Sequence, residues 1–213
     1  MITYKKAHER GGDGEMGRGG EGFTIIELLV AMLIVGILMS VTAPIIILST
    51  ATRVQARRVE LATQAARAYI DGVKSGTISS PPSITGNLED YAAPTSSGSL
   101  TCTANSYCSS MPDLYCVDSD GSGCSTSSLN DMVVQAFRLN PASTDADKGY
   151  RLGLRVYRAD AFKDTVTLKK GIKQASFTGG MGDRQAPLVE MTTEIATAQT
   201  SFRDFCNRLH CGK

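Results

Sequence analysis

The longest unbroken pattern in the chain is apolar. Leu28 to Leu48 reads LLVAMLIVGILMSVTAPIIIL, 21 residues without a charge, and as a helix it spans ~31 Å, about the thickness of a bilayer's hydrocarbon core. The period then changes. Through IIILSTATRVQARRVELATQAARAYIDGVKSG, Val59, Ala62, Ala66, Tyr69 and Val73 recur at three-four spacing, with Arg57, Glu60, Gln64 and Arg67 between them. That spacing predicts an amphipathic helix packed along one face, ending at Gly76 or, earlier, at Gly72. Residues 79–130 lose all periodicity and are dominated by Ser, Thr, Gly, Pro and Cys, which predicts a long irregular loop. Beyond Asn130 the period becomes two. Met132 to Leu139 reads as a strand, and Tyr150, Leu152, Leu154 and Val156 alternate with Arg151, Gly153, Arg155 and Tyr157 as a half-buried strand. Thr165 to Leu168 and Leu188 to Met191 are weaker strands, Gly179-Gly180-Met181-Gly182 a turn, and Ser201 to Arg208 a short closing helix. The expected class is α+β: a long N-terminal helix, its first half membrane-spanning and its second half amphipathic, packed on a small antiparallel sheet with a disulfide-bearing loop.

Three uses compete for the apolar run. A secretory signal peptide has a superficial cleavage site at Val41-Thr42-Ala43, but Pro44 would follow the scissile bond and the run is longer than a signal core. A plain membrane tether leaves Glu27 unexplained, since an ionised carboxylate at membrane depth costs on the order of 2.5–3.5 kcal/mol and marks a functional residue by default. Snorkelling from the end of the run is the bland alternative. Loop charge, with Arg53, Arg57, Arg58 and Arg67 close behind the span and Arg10 and Arg18 close before it, mildly favours a cytoplasmic C-terminal side.

Composition changes this picture in two places. The 213 residues carry 22 Lys and Arg against 21 Asp and Glu, a net charge of +1, which argues against a nucleic-acid binder; the lack of Trp argues against an aromatic-rich binding face. Six cysteines then oppose the loop-charge count, because an even number beyond a membrane segment fits an oxidising compartment. Cys102, Cys108, Cys116 and Cys124 lie in the Ser/Thr-rich region, and Cys206 with Cys211 near the end. Up to three disulfides are possible, in any of 15 pairings; the last two cysteines can pair with each other or tie the tail to the loop. Zinc is disfavoured by the absence of Cys-x-x-Cys and by His210 as the single histidine after the span, and a catalytic thiol by the same shortage. Asp118-Ser119-Asp120-Gly121-Ser122-Gly123 offers Asp118 and Asp120 to Ca²⁺ but lacks a full calcium-loop spacing. No Gly-Lys-Ser/Thr follows the glycine cluster, so ATP hydrolysis is not expected, and no cofactor is.

Gly22-Phe23-Thr24-Ile25-Ile26-Glu27-Leu28-Leu29-Val30 resembles the processing and assembly signal of type IV prepilins and pseudopilins. It has a Gly directly before a Phe, a Glu in the fifth place from that Phe, an uninterrupted apolar run, and Gly36 and Pro44 where the family often softens its helix. The resemblance covers Glu21 to Ala51. It implies that prepilin peptidase cuts between Gly22 and Phe23 on the cytoplasmic side and that the new Phe23 amine is N-methylated. It further implies assembly through Glu27, Gly36 and Pro44: the Glu27 carboxylate neutralises the Phe23 amine of a neighbouring subunit, and Gly36 and Pro44 weaken local helix hydrogen bonding. The leader departs from the family's short basic form, being long and Gly-rich with Lys5, Lys6, Arg10 and Arg18 balanced by Glu9, Asp13, Glu15 and Glu21.

The implied organisation is a leader over 1–22, a transmembrane and assembly helix over 23–48, an amphipathic helix over 49–76, and an extracytoplasmic head over 77–213 with its loop at 79–130. Implied partners are prepilin peptidase, other pilins or pseudopilins, an inner-membrane assembly platform and the bilayer, with no direct nucleic acid. A head this large with so specialised a loop favours a minor pilin or pseudopilin, serving secretion or motility. GYRLGLRVYRADAF, from Gly149 to Phe162, resembles cyanobacterial pseudopilins of hormogonium polysaccharide secretion. The rival is a membrane-anchored extracytoplasmic binding protein or enzyme; against an enzyme stands the lack of a nucleophile-base pair or metal cluster in the sequence.

Overall fold

A computed structural model describes residues 24–109, 111–172, 174, 182–209 and 211. They divide into two units between Ile45 and Ile46. Helix α1 runs Ile25–Ser75. The second unit adds strands β1 (Ser106–Tyr107), β2 (Leu114–Val117), β3 (Met132–Leu139), β4 (Tyr150–Arg158) and β5 (Val189–Ile195), and closes with helix α2 (Phe202–Leu209). The strands form one antiparallel sheet in chain order. The α+β class read from the pattern is the fold observed.

The second half of α1 packs as its spacing predicts. Ala62, Ala66, Tyr69 and Val73 are buried, joined by Ala65 and Ile70, against Tyr115, Met132, Val134, Leu152, Leu154 and Val156 on one sheet face. Alanines at three of these positions let the helix backbone approach the pleated surface closely, while Tyr69 fills the deepest position. Its ring stands edge-on to Tyr115 at 5.2 Å, and its hydroxyl meets that of Tyr107 at 2.6 Å; Tyr107 in turn donates to the Ser79 carbonyl at 2.9 Å. This chain ties the helix to the loop that follows it and satisfies hydroxyls that burial would otherwise leave costly.

Gly76 does end α1, with φ +75° and its amide donating to the Val73 carbonyl. Gly72 does not end it. A Cβ at Gly72 would lie 2.4 Å from the Ile78 side chain, so this glycine admits the chain folding back over the helix.

Three expectations are corrected. Strand β4 is not half-buried, because all its residues but Arg151 are covered. Its second face is covered as well: Leu88, from a loop, and the Phe137 ring of β3 close over Gly153, where a Cβ would sit 2.4 Å from Phe137 Cε2. Arg155 is buried there too, ion-paired to Glu190 at 3.1 Å, donating to the Tyr91 carbonyl at 2.9 Å and lying 5.0 Å over the Phe137 ring. The segment 79–130 is not irregular throughout, since it supplies β1 and β2. With Cys102, Cys108, Leu114 and Cys116 it helps build a second core around Val133, Tyr157 and Phe162. Serines were no obstacle: buried Ser96 donates to the Phe162 carbonyl at 2.6 Å. Thr165 to Leu168 forms no strand but a single bridge, Thr95 to Thr167, flanked by two backbone hydrogen bonds. Residues 179–181 of the expected glycine turn lie outside the described residues.

Buried phenols set an alkaline limit on this fold. Burial raises Tyr69 most, and it pushes Tyr150 up to about 12 and Tyr157 up as well. A folded-state value above the unfolded value of about 10 leaves stability flat below pH 10 and erodes it above, by about 1.4 kcal/mol per pH unit for each such phenol. The urea midpoint of the chain in detergent is therefore expected to hold steady to pH 10 and fall steeply towards pH 12, with phenolate absorbance rising in the same transition.

Candidate functional site

The apolar segment is the feature the fold leaves uncovered. Every large apolar side chain from Ile25 to Ile47 is at least 51% exposed, on all sides of the helix. α1 is long and apolar enough to cross a membrane. Its few hydroxyls turn inward on their own backbone: Ser40 donates to the Ile37 carbonyl at 2.8 Å and Thr42 to Leu38 at 2.9 Å. Apart from Glu27 such a surface presents hydrocarbon to its surroundings, and about 25 cal/mol per Å² favours covering it with lipid or with other helices.

Thr24 starts the helix. Its hydroxyl accepts from the Glu27 amide at 3.3 Å, and its carbonyl accepts from the Leu28 amide at 3.1 Å. Thr24 and Glu27 thus stand in the Thr-x-x-Glu relation of a capping box, a signal present in the sequence and not read from it. Glu27 sits exposed in the first turn, where the positive end of the helix dipole favours a carboxylate. The partner expected for it, the Phe23 amine, lies with Gly22 outside the described residues. Gly36 has nothing within 4 Å of a Cβ position, so no contact among the described residues requires a glycine there. Pro44 lies inside α1, where its missing N–H leaves the Ser40 carbonyl without its helical donor.

Residues 18–43 match the family model described as the prokaryotic N-terminal methylation motif. The chain carries the type IV prepilin signature. The signature takes in Gly22, Phe23, Glu27 and Gly36 and stops at Ala43, one residue before Pro44. It supports a type IV pilin-like protein processed by prepilin peptidase, and it points to a structural protein rather than an enzyme. No curated protein and no solved structure matches the chain.

The cysteines of the head form two local bridges, Cys102–Cys108 and Cys116–Cys124, with Cα atoms 3.9 and 6.4 Å apart. Cys206 and Cys211 are free thiols. Both bridges close short loops on the sheet, which explains how a segment poor in apolar residues stays packed.

Asp118 and Asp120 come together with buried Asp131, which the sequence reading did not single out; one carboxylate oxygen of each lies within 4.8 Å of the others. Their first task is structural. Asp118 accepts from the amides of Asp120, Gly121 and Gly123, Asp120 from the amide and hydroxyl of Ser122, and Asp131 from the amides of Ser119 and Ser125. Burial holds the Asp131 carboxyl above the usual range, while the Ser125 and Ser119 amides pull it back. The Asp120 carboxyl is lowered, chiefly by the Ser122 hydroxyl.

Asp131→Ala removes the acceptor for two loop amides without touching the sheet. It is expected to destabilise the head by about 1–3 kcal/mol, the cost of unsatisfied amides, read as a lower urea midpoint with an unchanged slope.

Proposed function

We propose that this chain is a minor pilin or pseudopilin whose work is done by the uncovered half of α1. In the membrane the apolar surface is lipid-solvated; in a filament the same surface packs against neighbouring helices. The exposure of every large apolar side chain from Ile25 to Ile47, a segment that begins inside the methylation motif and runs past its end, carries this reading.

Cleavage between Gly22 and Phe23 leaves a positive amine at the start of an apolar helix, and N-methylation of Phe23 keeps that charge. Glu27 of one subunit neutralises this amine on the next, a pairing that sets the stagger between subunits because either charge alone is costly in hydrocarbon. Gly36 and Pro44 soften the helix for assembly; the empty space around Gly36 is consistent with a close neighbour there. The division is a leader over 1–22, an assembly helix over 23–48, an amphipathic helix over 49–76 and a head over 77–213. The head faces the oxidising side of the inner membrane, a placement favoured by its two disulfides. Its partners are prepilin peptidase, other pilins or pseudopilins and the inner-membrane assembly platform, in a filament that serves secretion or motility.

Two measurements test this. N-terminal mass spectrometry of the envelope-fraction protein is expected to find a methylated Phe23 as the first residue; an intact Met1 overturns processing. Glu27→Leu is expected to insert into the membrane at wild-type level and to lower incorporation into filaments by at least about tenfold, the loss of a buried charge pair's worth. A tethered binding protein or enzyme would be indifferent to that change, so normal function and normal assembly in the variant favour the tether instead.

A further inference from the structure

Helix α1 changes character where its apolar run stops. Between Glu27 and Glu60 it carries no carboxylate, yet Arg53, Arg57 and Arg58 follow Leu48 within ten residues. The hydroxyls in between are spent on their own backbone, Thr50 donating to the Ile46 carbonyl and Thr52 to the Ser49 carbonyl, each at 3.0 Å. The arginines are therefore the first charges that α1 offers beyond the hydrocarbon. Arg53 and Arg57 are exposed, and each stands two residues, ~200° around the helix, from buried Gln55, so both lie on the face turned away from the head. They are one turn apart on that face, where like charges oppose helix stability unless an anion answers them. Among the described residues neither has an ion pair. Glu60 lies beyond them and accepts from the Gln64 amide at 3.4 Å, and Asp160, just after β4, is paired with buried Arg158. Arg58 is half-buried and flanks the pair on the side nearer the head.

We propose that Arg53, Arg57 and Arg58 form a basic collar that binds the phosphate groups of anionic phospholipids at the membrane surface. This rests on the reading that the uncovered half of α1 is embedded in lipid, and it adds which lipids the chain prefers. Position, direction and charge support it. At 1.5 Å per residue Arg53 stands ~8 Å past Leu48, and Arg57 and Arg58 ~14–15 Å. A headgroup layer extends roughly 5–8 Å beyond the hydrocarbon on each side. Helical side chains lean towards the N-terminus, which for these residues is back towards the bilayer. The arginine stem carries the guanidinium further that way while the charge stays wet. Arg53 and Arg57, stacked at i and i+4, then present two planar donor forks to a layer of phosphate oxygens, the geometry in which arginine binds phosphate best. In the embedded state those phosphates are the anions at this height whatever the chain's neighbours are. Arg67 is also exposed but stands ~29 Å past Leu48, out of reach, so the collar ends at Arg58. Arginines close behind the span count towards a cytoplasmic C-terminal side, and the two disulfides towards an oxidising one. Held by headgroup phosphates, the arginines have a task on the oxidising side.

The experiment reconstitutes the full chain in vesicles of phosphatidylcholine alone and of phosphatidylcholine mixed equally with phosphatidylglycerol. Insertion into both, read as retention after urea extraction, is expected; failure to insert into phosphatidylcholine overturns the embedded half of α1 and this proposal with it. The chain is then purified from the mixed vesicles in mild detergent, and the lipids that stay with it are quantified by mass spectrometry. Phosphatidylglycerol is expected to exceed phosphatidylcholine by at least about fivefold, one arginine's attraction to an anionic surface. Purification in about 1 M NaCl is expected to bring the ratio near one, because salt screens exposed charges. The double variant Arg53→Gln, Arg57→Gln, which leaves the core untouched, is expected to do the same at low salt, while Arg67→Gln keeps the wild-type ratio. Equal retention of the two lipids by the inserted wild type, or a ratio that ignores salt, overturns the collar alone. Loss of the preference in millimolar inorganic phosphate, but not in chloride of equal ionic strength, assigns the arginines to free phosphate and overturns it as well. So does a double variant that keeps the ratio yet fails to enter filaments, since the pair then answers a neighbouring subunit's carboxylates.

Discussion

The packing of one helical stripe on one sheet face is the contact on which the head depends. Ala62, Ala66, Tyr69 and Val73 meet the inward residues of β2, β3 and β4, and the small alanines bring backbone and sheet close enough for Tyr69 to reach Tyr107 and Tyr115. With that face closed, the meander has only its other side to cover. It does so with loop rather than helix, which is why that side relies on specific polar anchors.

Those anchors share a logic. Arg155 lies beneath the loop at residues 89–92 and satisfies its carbonyls, Asp131 gathers the amides of the loop closed by Cys116 and Cys124, and Arg208 seats α2 on β5. Each is a buried polar group with at least one backbone partner, and each holds a segment whose own side chains bury little apolar surface. A loop of Ser, Thr and Gly cannot offset its ordering entropy by hydrophobic burial, so short disulfides and charge-assisted hydrogen bonds replace it. The GYRLGLRVYRADAF stretch is part of this same arrangement: it is β4 and the turn after it, buried on both faces, and core packing accounts for its texture.

The first half of α1 follows the opposite rule. Among the described residues it has no polar anchor and no covered face, only an apolar sheath with a cap at Thr24 and a carboxylate at Glu27. An exposed apolar sheath of this kind is what the proposed passage from lipid to neighbouring helices requires.

What the sequence by itself determined are features carried by local period and local chemistry. The apolar run, the stripe on α1, the strands β3 to β5, α2 and the prepilin signature all lie in contiguous residues, because side-chain direction in helices and strands repeats over a few positions. Only the tertiary structure decided which polar residues are buried. Arg155 alternates like a solvent residue, and Gly72 reads like a helix stop, until the loops that fold over them are in place. The pairing of the cysteines and the grouping of Asp131 with Asp118 and Asp120 likewise depend on which strands neighbour one another, and a residue's partner across a sheet leaves no mark in the residues beside it.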